Sequence, residues 1–233
     1  EVQVIQGGYK ALRNAGRAHM EAFSRPLMVL GGPTGSSKTK VLHILEQRQE
    51  TIVDLEGLAR HKGSAFGALG EEGQPSVEQF ENDLFHYLLQ LATDTQKPVW
   101  VEDESKAIGR VYIPNELWAK MMKAPLVVID MPQEWRLDNL VEDYAHYDLA
   151  ELKNGFERIR KRLGGQHLKR ALEALDQQDF YAAAAIAIKY YDKAYRWSLE
   201  RSERKAVYHL QPSANQPEVI ASELLEWYAS ISL

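Results

Sequence analysis

Apolar residues in this chain fall into two kinds of run, and the two alternate. Pro26–Leu30 (PLMVL), Thr51–Leu55 (TIVDL), Pro98–Asp103 (PVWVED) and Pro125–Asp130 (PLVVID) are short and densely apolar. That is the texture of strands buried on both faces of a parallel sheet. Between them, apolar positions recur at three- and four-residue steps. Val41, Leu42 and Leu45 follow the first run; Val77, Phe80, Leu84, Tyr87, Leu88 and Leu91 follow a Ser76/Gln79 capping pattern; Leu137, Leu140, Val141 and Tyr144 follow Pro132. These are helical stripes, and Pro114 and Pro132 suit first helical turns. The alternation predicts an α/β fold, a parallel sheet flanked by helices.

From Asp148 the pattern turns helical throughout. Leu149, Leu152, Phe156, Ile159 and Leu163 mark one helix, Gly164-Gly165 breaks it, and stretches near 166–176 and 179–200 follow. Ala206–Leu210 (AVYHL) reads as a fifth strand and Pro217 opens a last helix. The expected organisation is a lead segment 1–25, an α/β core at 26–147 and 205–233, and a helical insertion at 148–204.

Composition narrows the function. The 233 residues are 45% hydrophobic and 26% charged, with no cysteine. A globular protein is implied, with no disulfide, thiolate metal site or cysteine nucleophile within this chain. Mean hydropathy is −0.41, and no apolar run approaches the roughly 18–20 residues of a membrane span. The opening EVQVIQGGYK lacks a signal-peptide pattern, so a cytoplasmic location with no membrane partner is expected. The net charge of −5 is unevenly spread. Arg158, Arg160, Lys161, Arg162, Lys169 and Arg170 form a cationic stretch opposed locally by Glu157 alone. Such a patch suits a polyanion, and it equally suits a solvated helix face.

The sharpest motif is Gly32-Pro33-Thr34-Gly35-Ser36-Ser37-Lys38-Thr39, between a predicted strand and a predicted helix. It reads as a phosphate-binding G-x-x-x-x-G-K-[ST] loop with Ser37 at the last glycine position. In such a loop, inward-turned backbone N–H groups and the helix N-terminus cradle phosphate; Lys38 would neutralise it and the Thr39 hydroxyl would reach Mg²⁺. Asp54, Glu102 and Asp103 would emerge at the same carboxyl edge of the sheet. Asp103 or Glu102 is the better metal candidate, because Val99-Trp100-Val101 leads straight into them, with Asp103 set beside Thr39; Asp54 and Glu102 join Lys38 as catalytic candidates. Gly32, Thr34, Gly35, Ser36, Ser37, Lys38 and Thr39 would bind phosphate, with Arg110 and Arg136 folding over it. Beyond the second strand, Arg60, His61, Lys62 and Ser64 lie in a glycine-containing loop suited to clamping a substrate. Tyr190, Tyr191, Tyr195, Arg196 and Trp197 could stack on unpaired bases or equally belong to a core.

Taken together, GGPTGSSKT, DLEGLARHKGSAFG, VWVEDESKAIGRVYIP and YYDKAYRWSLERS resemble tRNA 2-selenouridine synthase, over residues 6 to at least 205. The family replaces sulfur by selenium on wobble 2-thiouridine with selenophosphate, through a geranylated intermediate made from geranyl pyrophosphate. The resemblance implies a pyrophosphate or phosphate ligand at residues 32–39, and tRNA as the partner, its anticodon arm gripped by the cationic stretch. The family's amino-terminal rhodanese domain, with its reactive cysteine, has no counterpart in this sequence beyond GGYKALR, which resembles its end. Geranyl transfer and tRNA binding need no thiol. Two other readings fit the same residues: a small-molecule or nucleotide kinase using ATP, and a non-catalytic RNA-docking module.

Overall fold

The computed structural model describes residues 4–91, 97–202, 204 and 206–231; Glu203 and Lys205 of the polar stretch before the fifth expected strand lie outside them. In chain order the strands are β1 (Leu27–Gly31), β2 (Thr51–Val53), β3 (Val99–Glu102), β4 (Ala107–Ile108), β5 (Val111–Tyr112), β6 (Leu126–Ile129) and β7 (Val207–Leu210). Five of them form the main sheet in the order β2-β3-β1-β6-β7. All its pairings are parallel, with Val29 opposite Val101 on one side and Leu126 on the other. This is the α/β parallel sheet that the dense apolar runs predict. The β4-β5 hairpin is an addition, in a stretch too short for any period to register.

The helices are α1 (Gly8–Ala22), α2 (Lys38–Gln47), α3 (Leu55–Ala59), α4 (Val77–Gln90), α5 (Asn115–Lys123), α6 (Gln133–Tyr144), α7 (Leu149–Arg158), α8 (Arg160–Leu163), α9 (Gly165–Asp176), α10 (Phe180–Glu200) and α11 (Pro217–Ile231). Pro114 and Pro132 stand one residue ahead of α5 and α6, not within their first turns. The strand expected at Thr51–Leu55 stops at Val53, because the Asp54 carboxylate accepts the Gly57 N–H at 2.7 Å and turns the chain into α3. A hydrogen-bonded Asp at a helix start competes directly with strand continuation.

Strand periodicity sorts the core into two layers. Leu27, Val29, Val99, Val101, Leu126 and Val128 face α1, α4 and α5, which contribute Met20, Phe80, Leu84 and Met121. Met28, Leu30, Ile52, Trp100, Val127 and Ile129 face α2 and α11, meeting Leu42, Leu45, Ile220 and Leu224. Adjacent strand residues point to opposite faces, so one run fills both layers. Helix α1 extends the first layer across the lead segment, through buried Met20 and an Arg13–Glu81 ion pair at 2.7 Å to α4. A third cluster joins Leu152, Phe156, Leu168, Leu175 and Ala183 of α7, α9 and α10 to Phe66 from the loop after α3.

Candidate functional site

The sheet order reverses at β1: the chain goes to β2 and β3 on one side, then to β6 and β7 on the other. The carboxyl ends of the strands flanking such a switch point leave a crevice where ligands bind. Here residues 32–39 turn from β1 into α2 and line one wall of a cleft of about 1650 Å³. Gly35 has φ +86°, and a Cβ there would lie 2.6 Å from the Arg136 carbonyl oxygen. Only glycine fits. Ser37 also adopts the left-handed region, at φ 58°, which costs a residue with a Cβ about 1–2 kcal/mol. Asn139 offsets part of this. Its buried amide donates to the Ser37 hydroxyl at 3.0 Å, to the Gly35 carbonyl at 2.9 Å and to Asn215 at 3.1 Å.

Thr39, one residue into α2, donates its hydroxyl to Glu102 at 2.5 Å, and Glu56 also lies within reach at 3.1 Å. Glu102 follows from the strand alternation: it shares a face with Trp100, the face that α2 covers. Asp103, next along, points the other way and pairs with Arg204 at 2.5 Å. The carboxylate beside Thr39 is therefore Glu102, not the expected Asp103. Asp54 lies off the cleft, held by its cap to Gly57 and by His43 Nε2 at 2.8 Å.

The Glu102 side chain is fully buried, and its Oε2 has no hydrogen-bond partner among the described residues. Burial pushes its carboxyl well above the ordinary carboxylate range, and the neighbouring charges of Glu56 and Glu104 add to the effect. Glu104 is pushed up to about 8, chiefly by burial, with Glu56 adding and Lys38 opposing. Glu56 is also raised by burial, against the opposing charge of Lys38. An unpaired buried charge is costly, so burial favours the protonated, uncharged form of these carboxyls. Among the described residues, no group of three or more Asp, Glu or His side chains is arranged as metal ligands. Thr39 and Glu102 suit a Mg²⁺ that keeps several waters and takes further oxygens from a phosphate.

The other expected site residues separate. Lys38, Lys62, Ser64 and Asp103 line the cleft with the loop. Lys62 sits against the Tyr144 and Tyr147 rings, 5.7 and 5.6 Å from their centroids. Arg136 does not reach into the cleft. Its guanidinium is buried, donating from Nε to the Thr34 carbonyl at 2.9 Å and from both terminal nitrogens to Asp192 of α10. It straps the loop to α10, with Nε and both terminal nitrogens each bonded to a protein acceptor. Arg110 sits in the β4-β5 turn, its backbone N–H on Gln74 at 2.8 Å. Arg60 is exposed and 3.3 Å from Glu72. His61 is buried, its Nδ1 has no hydrogen-bond partner among the described residues, and burial lowers its pKa. Arg158, Arg160, Lys161, Arg162, Lys169 and Arg170 are all exposed on α7, α8 and α9. Some are engaged locally: Arg158 with the Ala65 carbonyl and Arg162 with the Tyr190 hydroxyl.

Several groups that matter here carried no assigned role in the sequence. Glu56 and Glu104 sit within motifs whose spacing predicts no metal or acid–base function, and Asn139, Asp192 and Arg204 reach the site only through tertiary contacts. A second cavity, of about 70 Å³, adjoins the phosphate loop at Thr34, with Ser64 of the loop after α3 at the same edge, and is otherwise lined almost wholly by apolar side chains, among them Phe66, Leu152, Phe156 and Ile188.

A five-stranded parallel sheet with helices on both faces, and a glycine loop entering a helix at its switch point, defines a P-loop protein. The family model for the tRNA 2-selenouridine synthase AAA domain matches residues 25–219. The tRNA 2-selenouridine synthase of Chromohalobacter salexigens is 35% identical, the match covering 88% of this chain and 62% of that relative. This chain belongs to the tRNA 2-selenouridine synthase family. It spans less than two thirds of that relative's length. Among the described residues no helix is long and apolar enough to cross a membrane.

Proposed function

We propose that this chain is the pyrophosphate- and tRNA-binding part of a transferase that prenylates wobble 2-thiouridine, a step on the way to 2-selenouridine. One observation carries the reading: the phosphate loop adjoins an apolar cavity at Thr34, with Ser64 of the loop after α3 at the same edge. A purely phosphate-handling enzyme has no use for that cavity, whereas an allylic pyrophosphate has both a charged head and a hydrocarbon tail. A probe sphere occupies roughly 10–15 Å³ and stands for about 30 Å³ of liquid, so 70 Å³ accommodates a short branched chain.

In this reading the loop amides and Lys38 hold the pyrophosphate, and the tail of geranyl pyrophosphate lies between α6, α7 and α10. The thiocarbonyl sulfur of the uridine attacks the first carbon of the chain, a carbon–sulfur bond forms, the carbon–oxygen bond to pyrophosphate breaks, and N3 of the ring releases its proton to water. Lys38 and the loop N–H groups stabilise the negative charge that grows on the leaving oxygen, fixed dipoles that need no reorganisation. Thr39 and Glu102 would hold Mg²⁺, which would neutralise part of that charge. Selenophosphate would enter at the later exchange of the geranylthio group for selenium, with the rhodanese part of the family as a partner in the complete reaction. The exposed cations of α7, α8 and α9 suit the anticodon arm, and the complex should weaken steeply with salt.

The test is to incubate the chain with 2-thiouridine-bearing tRNA, geranyl pyrophosphate and Mg²⁺, and to weigh the nucleosides by mass spectrometry. The expected product is S-geranyl-2-thiouridine, absent with Lys38→Ala. Ala187→Phe, which fills the apolar cavity, should abolish the product while leaving inorganic pyrophosphate binding intact. Consumption of ATP without any prenylated nucleoside would overturn the proposal.

A further inference from the structure

Helix α10 carries a run of aromatic and basic residues that α-helical spacing alone leaves undivided. The fold divides them. The Tyr191 hydroxyl accepts the Ala65 N–H at 3.3 Å, Tyr190 takes a hydrogen bond from Arg162, and Tyr195 packs against the sheet core. Trp197 is left outside, 57% exposed. The guanidinium carbon of Arg201, one turn on, lies 4.3 Å from its ring centroid.

Trp197 is not held there by the core. Leu199 and Tyr195 anchor this end of α10 to the sheet, so the exposed indole is an addition to a helix already fixed. It lines the cleft of the phosphate loop together with Arg201, Lys106 and Lys123. The Lys106 ammonium is bound to a neutral amide, Asn115 Oδ1 at 2.5 Å, so its charge is not cancelled by a carboxylate. An exposed indole with a stacked guanidinium, beside cations and a phosphate loop, matches the two parts of a single-stranded nucleic acid: a flat base and a phosphate on either side.

We propose that Trp197 and Arg201 form a stacking ledge for an unpaired nucleobase of RNA at the mouth of the cleft, and that this base is the one to be modified. The ledge rests on the reading of this chain as acting on tRNA. It adds where the target base is received and why it leaves its own stack: the aromatic face and the cation replace the neighbours it loses. Lys106 and Lys123 serve the flanking phosphates.

The test measures binding of two anticodon stem-loop RNAs at ~100 mM salt by fluorescence anisotropy. One RNA is intact and one is abasic at the wobble position. The parent chain should bind the intact RNA about 5- to 150-fold more tightly than the abasic one. Trp197→Ala should lose that preference, binding both RNAs with the parent's affinity for the abasic form, and Trp197→Phe should retain most of it. If Trp197→Ala binds intact RNA as the parent does, or weakens equally on both RNAs, the ledge is wrong while tRNA binding stands. If the parent binds neither RNA, the ledge falls together with the tRNA reading. Pyrophosphate binding by Trp197→Ala should match the parent; its loss would mean that the indole shapes the cleft and does not receive a base.

Discussion

Arg136 distinguishes a structural strap from a phosphate ligand. Its side chain is 7% exposed and that of its partner Asp192 is 23% exposed, and the guanidinium makes one further bond to the Thr34 carbonyl. Replacing it by methionine leaves Asp192 and that carbonyl without their donor in a largely buried place. Removing one member of a buried ion pair costs about 3–5 kcal/mol. With a urea slope of ~3 kcal/mol per molar, the unfolding midpoint of Arg136→Met should fall by ~1–1.7 M. The double variant Arg136→Met/Asp192→Leu removes both charges, and should recover most of the loss, since an apolar replacement of a buried pair is often neutral. Urea unfolding followed by tryptophan fluorescence reads both variants. A single variant as stable as the parent but with weakened pyrophosphate binding would refute the strap and make Arg136 a phosphate ligand after all.

Glu102→Gln should abolish Mg²⁺-dependent geranyl transfer without lowering the urea midpoint, because burial already favours the uncharged carboxyl and the amide preserves its shape; transfer at the parent's rate would move the metal role elsewhere. Burial pushes the Glu104 carboxyl up to about 8 from an ordinary 4.5. The folded chain therefore holds a proton that the unfolded chain has released, and stability falls as pH rises through that window. Glu104→Gln should flatten the fall, and a parent midpoint that climbs between pH 5.5 and 8 would contradict it. Gly35→Ala, with its left-handed φ and its clash at the Arg136 carbonyl, should cost at least ~1–3 kcal/mol and lower Tm; an unchanged Tm would show that the loop relaxes freely.

The sheet was legible because buried parallel strands are dense in apolar residues, and the glycine-containing turn from β1 into α2 because its residues are contiguous in sequence. Helix α1 was not, since its Gly7 start offers no side-chain cap. The choice between Glu102 and Asp103 was out of reach for a different reason. Alternation puts them on opposite faces, but which face α2 covers is a property of the assembled fold. Arg136 and Asp192 lie 56 residues apart, and no spacing rule joins residues at that distance. Likewise the helical period separates Tyr195 from Trp197, but only packing says which of the two meets the core.

The Asn139–Asn215 pair has a consequence for how the molecule is made. Asn139 supports the phosphate loop through Ser37 and Gly35, and it is itself held by Asn215, between β7 and α11. The same late segment supplies the edge strand beside β6 and the helix that seals Leu30, Trp100 and Val127. A nascent chain emerging from the ribosome would thus have synthesised its whole phosphate loop long before it could lock it. Truncation before β7 should leave a polypeptide with every loop residue present and no pocket of fixed shape.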